Sequence, residues 1–111
     1  MRPAPFAALV AASFAAHAAL AGTAYVSSEK DDALTLIDTA TLAVKGTIAT
    51  CKRARHLQRL PDGKLMVACT DANAADIIDP ATGKSVRRVP LGDEPEAFDV
   101  SPDGKTVYVS N

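Results

Sequence analysis

The sequence predicts an all-β protein built as a β-propeller, and three internal echoes carry that expectation. Pro61-Asp62-Gly63-Lys64 recurs about 41 residues on as Pro102-Asp103-Gly104-Lys105. Ile37-Asp38-Thr39-Ala40-Thr41 recurs at the same spacing as Ile78-Asp79-Pro80-Ala81-Thr82. Tyr25-Val26-Ser27-Ser28 recurs as Val67-Ala68-Cys69-Thr70 and again as Tyr108-Val109-Ser110-Asn111. A period in the low forties, filled with short β-type runs, marks propeller blades of four antiparallel strands each.

Taken in order, the first repeat opens on the second strand of a blade, Ala24–Ser27, followed by Leu34–Asp38 and Val44–Ile48. The next repeat supplies all four strands: His56–Leu60, Leu65–Cys69, Ala75–Asp79 and Val86–Val89. A third begins with Ala97–Ser101 and Thr106–Ser110. These runs are rich in β-branched and apolar residues and are bounded by turn formers. Val44, Gly46 and Ile48 alternate with Lys45 and Thr47, the pattern of a half-exposed outer strand. The expected organisation is an export signal at 1–21, an incomplete blade at 22–50, a complete blade at 51–91 and the start of a third at 92–111. The chain reads as an N-terminal fragment of about two blades.

Turn chemistry supports this division. Proline presets φ and glycine supplies a positive φ in both Pro-Asp-Gly-Lys turns, so Asp62, Gly63, Asp103 and Gly104 are assigned to the reversal between first and second strands. Asp38 and Asp79 are placed to accept backbone N–H groups and close the turn between third and fourth strands, with Leu42 standing where Gly83 stands one repeat later. The aspartates are therefore read as structural rather than catalytic.

The chain has 111 residues, 48% of them hydrophobic, and a formal net charge of −1. This is a globular composition. Alanine inflates the hydrophobic share and clusters near the N-terminus, where Arg2 precedes an apolar run from Phe6 to Leu20. Ala19-Leu20-Ala21 fits small-x-small cleavage before Gly22, so a cleaved signal is expected, a periplasmic location with it, and no membrane span thereafter. Removing Arg2 with the signal leaves 11 basic against 13 acidic groups, and the chain has no tryptophan. That balance argues against a nucleic-acid coat or a base-stacking channel.

Cys51 and Cys69 form neither C-x-x-C nor C-x-x-C-H, so spacing assigns no metal or haem site. Export would permit a disulfide. Cys51, however, falls in a loop well off the cross-strand partner of Cys69, and pairing needs Cα atoms within about 7 Å. The expectation is two small buried thiols.

These residues resemble the YVTN-type, YncE-like β-propeller repeat, in which Gly-x-x-Pro leads to Ser-Pro-Asp-Gly-Lys and then Tyr-Val-Ser-Asn. The run from Gly92 to Asn111 follows that pattern closely. Ala24-Tyr25-Val26-Ser27-Ser28-Glu29-Lys30-Asp31 is similar to the opening of the PQQ-dependent catabolism-associated β-propeller proteins. So is Lys52-Arg53-Ala54-Arg55, followed one repeat later by Asp93-Glu94-Pro95-Glu96. The resemblance implies an exported propeller, typically of seven blades, associated with periplasmic alcohol oxidation by quinoprotein dehydrogenases. PQQ would then enter only through a partner enzyme, the dehydrogenase or its cytochrome; a small-molecule ligand is a further expectation. No cofactor is assigned to this chain, and the resemblance supplies no catalytic residue. The second blade departs from the repeat: Cys51, Ala54 and His56 replace the usual glycine, proline and glycine, and Leu57-Gln58-Arg59-Leu60 is bulkier than usual.

The segment entering each first strand lies at one rim of a propeller channel. Lys52, Arg53, Arg55 and His56 occupy it in one blade, with Arg59 further along the strand. Asp93, Glu94 and Glu96 occupy it in the next, with Asp99 on the following strand. Lys52 aligns with Asp93, Arg53 with Glu94 and Arg55 with Glu96, so opposite charges should face each other across the blade boundary. This rim is assigned to a charged ligand or partner surface. The competing structural reading is a set of exposed ion pairs, each contributing about 0–1 kcal/mol. His56, the lone histidine after the signal, has no partner in the sequence to make it a ligand or general base. Ser27-Ser28-Glu29-Lys30 has S-x-x-K spacing, but it runs from a strand into a loop instead of along a helix.

The functional expectation is a non-catalytic binding or scaffold propeller. A lactonase-like hydrolase and a DNA-binding propeller are the alternatives, since fold does not choose among them.

Overall fold

The computed structural model describes residues 2–3 and 22–111. The expected export signal lies almost entirely outside the described residues. Among the described residues, no helix is long and apolar enough to cross a membrane.

Three antiparallel sheets follow one another along the chain. The first is β1 (Thr23–Ser28), β2 (Ala33–Asp38) and β3 (Val44–Ala49), hydrogen-bonded in that order. The second is β4 (Ala54–Arg59), β5 (Leu65–Cys69), β6 (Ala74–Asp79) and β7 (Lys84–Pro90), again in chain order. The third is the pair β8 (Ala97–Val100) and β9 (Val107–Ser110). Up-and-down sheets of this kind, stacked face to face, are the blades of a propeller. One short 3-10 turn, Thr70–Ala72, interrupts the connection between β5 and β6.

The 41-residue period reappears in the hydrogen bonds. Asp38 Oδ1 accepts the Ala40 N–H at 2.8 Å, and Asp79 Oδ1 accepts the Ala81 N–H at 2.9 Å. Leu42 N–H and Gly83 N–H close these turns onto the carbonyls of Asp38 and Asp79. Both closing residues are left-handed, Leu42 at φ 61° and Gly83 at φ 68°. Asp62 and Asp103 each accept the N–H two residues on, at 3.0 Å.

Two apolar layers separate the sheets. Tyr25, Leu34, Leu36 and Ile48 of the first sheet meet Leu57, Leu65, Val67, Cys69 and Ile78 of the second. The opposite face of the second sheet, with Met66, Ala68, Ala75 and Ile77, meets Phe98, Val100, Val107 and Val109. β5 and β6 are thus buried on both faces, which explains why they read as near-continuous apolar runs.

Three sequence expectations are corrected. Tyr25 pairs with Leu36 and Met66 with Ile77, so the structural equivalent of Tyr25 is Met66 and not Val67. In the third hairpin Phe98 pairs with Val109, whereas its equivalent Leu57 pairs with Val67. That shift of one residue turns Val107 and Val109 toward the second sheet and leaves Tyr108 outside, because strand side chains alternate. Finally, Cys51 and Cys69 form a disulfide, with Cα atoms 5.6 Å apart. The first strand begins two residues earlier than expected, pairing Ala54 with Cys69, and a bulge separates Ala54 from Leu57. Arg53 adopts φ 63°, which folds the preceding segment back over β5 and brings Cys51 to Cys69. Both residues are buried, as expected.

Candidate partner-binding rim

The connections leading into β2, β4, β6 and β8 gather at one end of the stacked sheets. They carry most of the rim charge. A repeated clasp shapes them. Asp32, at φ 51°, accepts the N–H of Arg53 on Oδ1 at 2.7 Å. Asn73, at φ 53°, accepts the N–H of Glu94 on Oδ1 at 3.0 Å. Each accepting residue belongs to one sheet and each donor enters the next. Asn and Asp tolerate the left-handed conformation and offer a short acceptor, so they suit this position.

Arg53 does not face its aligned charge Glu94. Its Nε donates to the Glu29 carboxylate, and Nη1 lies 3.5 Å from Asp71 Oδ1. The hydrogen bond from Arg53 holds the Glu29 carboxyl below the ordinary glutamate value, and Glu29 in turn pushes Arg53 up. Glu29, Lys30, Asp32, Arg53 and Asp71 line a shallow depression of about 460 Å³. Sequence alignment of the rim missed Glu29, Asp32 and Asp71, since it compared only the segments entering β4 and β8. The signal was present in the charged run Glu29-Lys30-Asp31-Asp32.

Arg55 does reach its aligned partner: Nη1 stands 3.3 Å from Glu96 Oε1. One turn of the pleat further, Gln58 Nε2 donates to Asp99 Oδ1 at 3.3 Å. The two contacts link residues 41 apart and run along the inner strands β4 and β8. His56 stacks edge-on against Phe98 with ring centroids 4.6 Å apart, so it is a packing residue of the sheet boundary. Lys52, Asp93 and Glu94 are exposed, and their side chains have no hydrogen-bond or ion-pair partner among the described residues. The third entering loop is held from beneath: Asn111 Nδ2 donates to the carbonyls of Leu91 and Asp93 at 3.0 and 2.6 Å. A Cβ on Gly92 would meet that amide at 3.3 Å.

A second polar group lies below the rim. Asp76 on β6 is 1% exposed and faces the first sheet beside the disulfide. Its carboxylate accepts the Cys51 N–H at 2.7 Å and Arg88 Nε at 2.8 Å. That contact raises the already high pKa of Arg88. The strand pattern places Asp76 on the same face as buried Ile78, the signal that could have marked it.

The successive up-and-down antiparallel sheets and the repeated clasp between them define a β-propeller architecture. The family model for the YNCE-like beta-propeller matches residues 2–111. The chain belongs to that family. Among solved structures it is similar to a chain of hydrazine synthase from Kuenenia stuttgartiensis, with a TM-score of 0.72 and 28% identity over 79% of this chain. The match covers 25% of that longer chain. No curated protein matches significantly.

Proposed function

We propose that this chain is part of an exported, non-catalytic propeller that binds a protein partner through the rim leading into β4 and β8. The observation that carries this reading is the division of labour among rim charges. Glu29, Arg53, Arg55 and Glu96 are engaged with one another, while the Asp32 and Asn73 clasps and the Asn111 amide hold the loops. Lys52, Asp93 and Glu94 remain exposed on those fixed loops. Charges held rigidly but left in water steer association and reject mismatched partners.

The partner class follows from the resemblance of the opening segment and the rim sequences to propellers associated with PQQ-dependent alcohol oxidation. It is a periplasmic quinoprotein dehydrogenase or its cytochrome. PQQ would then act in the dehydrogenase, and this chain's residues would orient the partner's surface.

The test combines location and binding. Protein recovered from the periplasm should begin near Gly22. The purified full chain should bind a quinoprotein dehydrogenase or its cytochrome with an affinity that falls as salt rises. Retention of Met1 in a cytoplasmic fraction would contradict export, and salt-independent or absent binding would contradict the rim assignment.

A further inference from the structure

Cys51, Cys69 and Asp76 bring two sulfurs and a carboxylate oxygen within 4.8 Å of one another, and all three residues are buried. The fold itself does not ask for this set. One repeat on, with the one-residue shift of the third hairpin, Cys51 is replaced by Gly92 and Cys69 by Asn111. One repeat back, Cys69 is replaced by Ser28, Asp76 by Thr35 and Arg88 by Thr47. Ser28 and Thr35 simply share a hydrogen bond of 3.0 Å. Four chemically distinctive residues therefore meet at one place in one sheet, on a scaffold that elsewhere uses glycine, an amide and hydroxyls.

We propose that, when the cystine is reduced, Cys51, Cys69 and Asp76 bind one thiophilic divalent cation of the zinc class, so that disulfide and metal are alternative occupants of the same site. The chemistry balances. A dithiol transfers two electrons and two protons to the cystine and leaves as its own disulfide. Metal binding then displaces the two thiol protons as thiolates form. Zinc–sulfur bonds of about 2.3 Å and zinc–oxygen bonds of about 2.1 Å place tetrahedral ligands roughly 3.5 Å apart, a spacing these side chains reach by small rotations. Two thiolates, a carboxylate and a divalent cation sum to one negative charge, and the Arg88 guanidinium neutralises it. The Cys51 N–H and Arg88 also orient the carboxylate, the outer-shell support that ligating carboxylates usually have. A tetrahedral zinc would complete its shell with one further ligand, a water or a neighbouring group.

The probe is zinc alone, on the full chain, reduced with a dithiol and then freed of it under anaerobic conditions. Dialysis against a competing chelator should leave one zinc per reduced chain and none per oxidised chain. X-ray absorption at the zinc edge should show two sulfur neighbours. A Cys51→Ser/Cys69→Ser chain, which matches the reduced protein in lacking a cystine, should retain none. Asp76→Asn should weaken binding at least about tenfold. Reduced protein holding zinc no better than the double serine variant would overturn the proposal. So would a zinc site without sulfur, or unchanged affinity in Asp76→Asn. If Asp76→Asn fails to fold, the count of atoms bonded to zinc in the natural sequence decides, and a set lacking two sulfurs and an oxygen or nitrogen rejects it.

Discussion

Arg55 makes an ion pair with Glu96, the residue that occupies its own position one repeat later, at 3.3 Å across the boundary between two sheets. The two side chains are 34% and 59% exposed. Water and salt screen such a pair, so its contribution to folding should be small. Arg55→Glu or Glu96→Arg in the full chain should change unfolding free energy by less than about 1 kcal/mol, with little coupling in the double reversal. Thermal or urea unfolding of the four-member cycle checks this. A large loss in both singles that the double restores would make the pair structural.

Leu42 and Gly83 occupy equivalent turn positions with φ of 61° and 68°. Leu42 is 78% exposed and pays for its backbone strain with no compensating burial. A left-handed non-glycine residue costs about 1–2 kcal/mol, part of which glycine's extra unfolded-state entropy offsets. Leu42→Gly should therefore stabilise the protein by about 0.5–1 kcal/mol. Denaturant unfolding with an unchanged m-value would show it, and destabilisation would refute it.

Asp76 and Arg88 should respond unequally to removal. Arg88→Ala leaves a buried carboxylate with the Cys51 N–H as its remaining partner, at a cost of about 2–3 kcal/mol, reduced from the fully buried case because Arg88 is itself half in water. Asp76→Asn leaves an arginine that water can solvate and an amide oxygen that can still accept from Cys51, at about 1 kcal/mol. Equal losses in the two variants would show that the pair acts only through packing.

Acid sensitivity should come from the turns. Backbone N–H groups of Thr41 and Ala40 lower the pKa of Asp38, that of Lys64 lowers Asp62, and the Ser101 hydroxyl with the Lys105 N–H lowers Asp103. A carboxyl whose folded pKa lies below its unfolded value stabilises fully above the unfolded value, about 3.9 for aspartate. That stabilisation is lost as pH falls through the lower folded value. Stability should thus drop as pH falls below about 4, and replacing the three aspartates by asparagine should flatten this limb. An unchanged acid slope in the triple variant would exclude the turns as its source.

The turns were legible because their chemistry is local: Asp38, Asp79 and the two Pro-Asp-Gly-Lys segments need only neighbours within a few residues. The blade plan was legible for the same reason, since the apolar runs and their spacing repeat. What escaped depends on register and on one loop conformation. Tyr25 was matched to Val67, one residue off, because similar side chains outweighed strict spacing. The disulfide escaped because left-handed Arg53 and the bulge after Ala54 are set by contacts with Asp32 and Thr70, far along the chain. The Arg53 partners escaped likewise, since they come from the connections into β2 and β6.

The role proposed for the rim between β4 and β8 is to receive a charged partner. The measurement that tests it is the affinity of the full chain for a quinoprotein dehydrogenase or its cytochrome, at low and moderate salt, before and after Lys52→Glu and Glu94→Lys, which reverse exposed rim charges without a side-chain partner among the described residues. Each single reversal should weaken binding several-fold and reduce its salt dependence, while leaving the unfolding midpoint nearly unchanged. Affinity and salt dependence that stay the same in both reversals would contradict it.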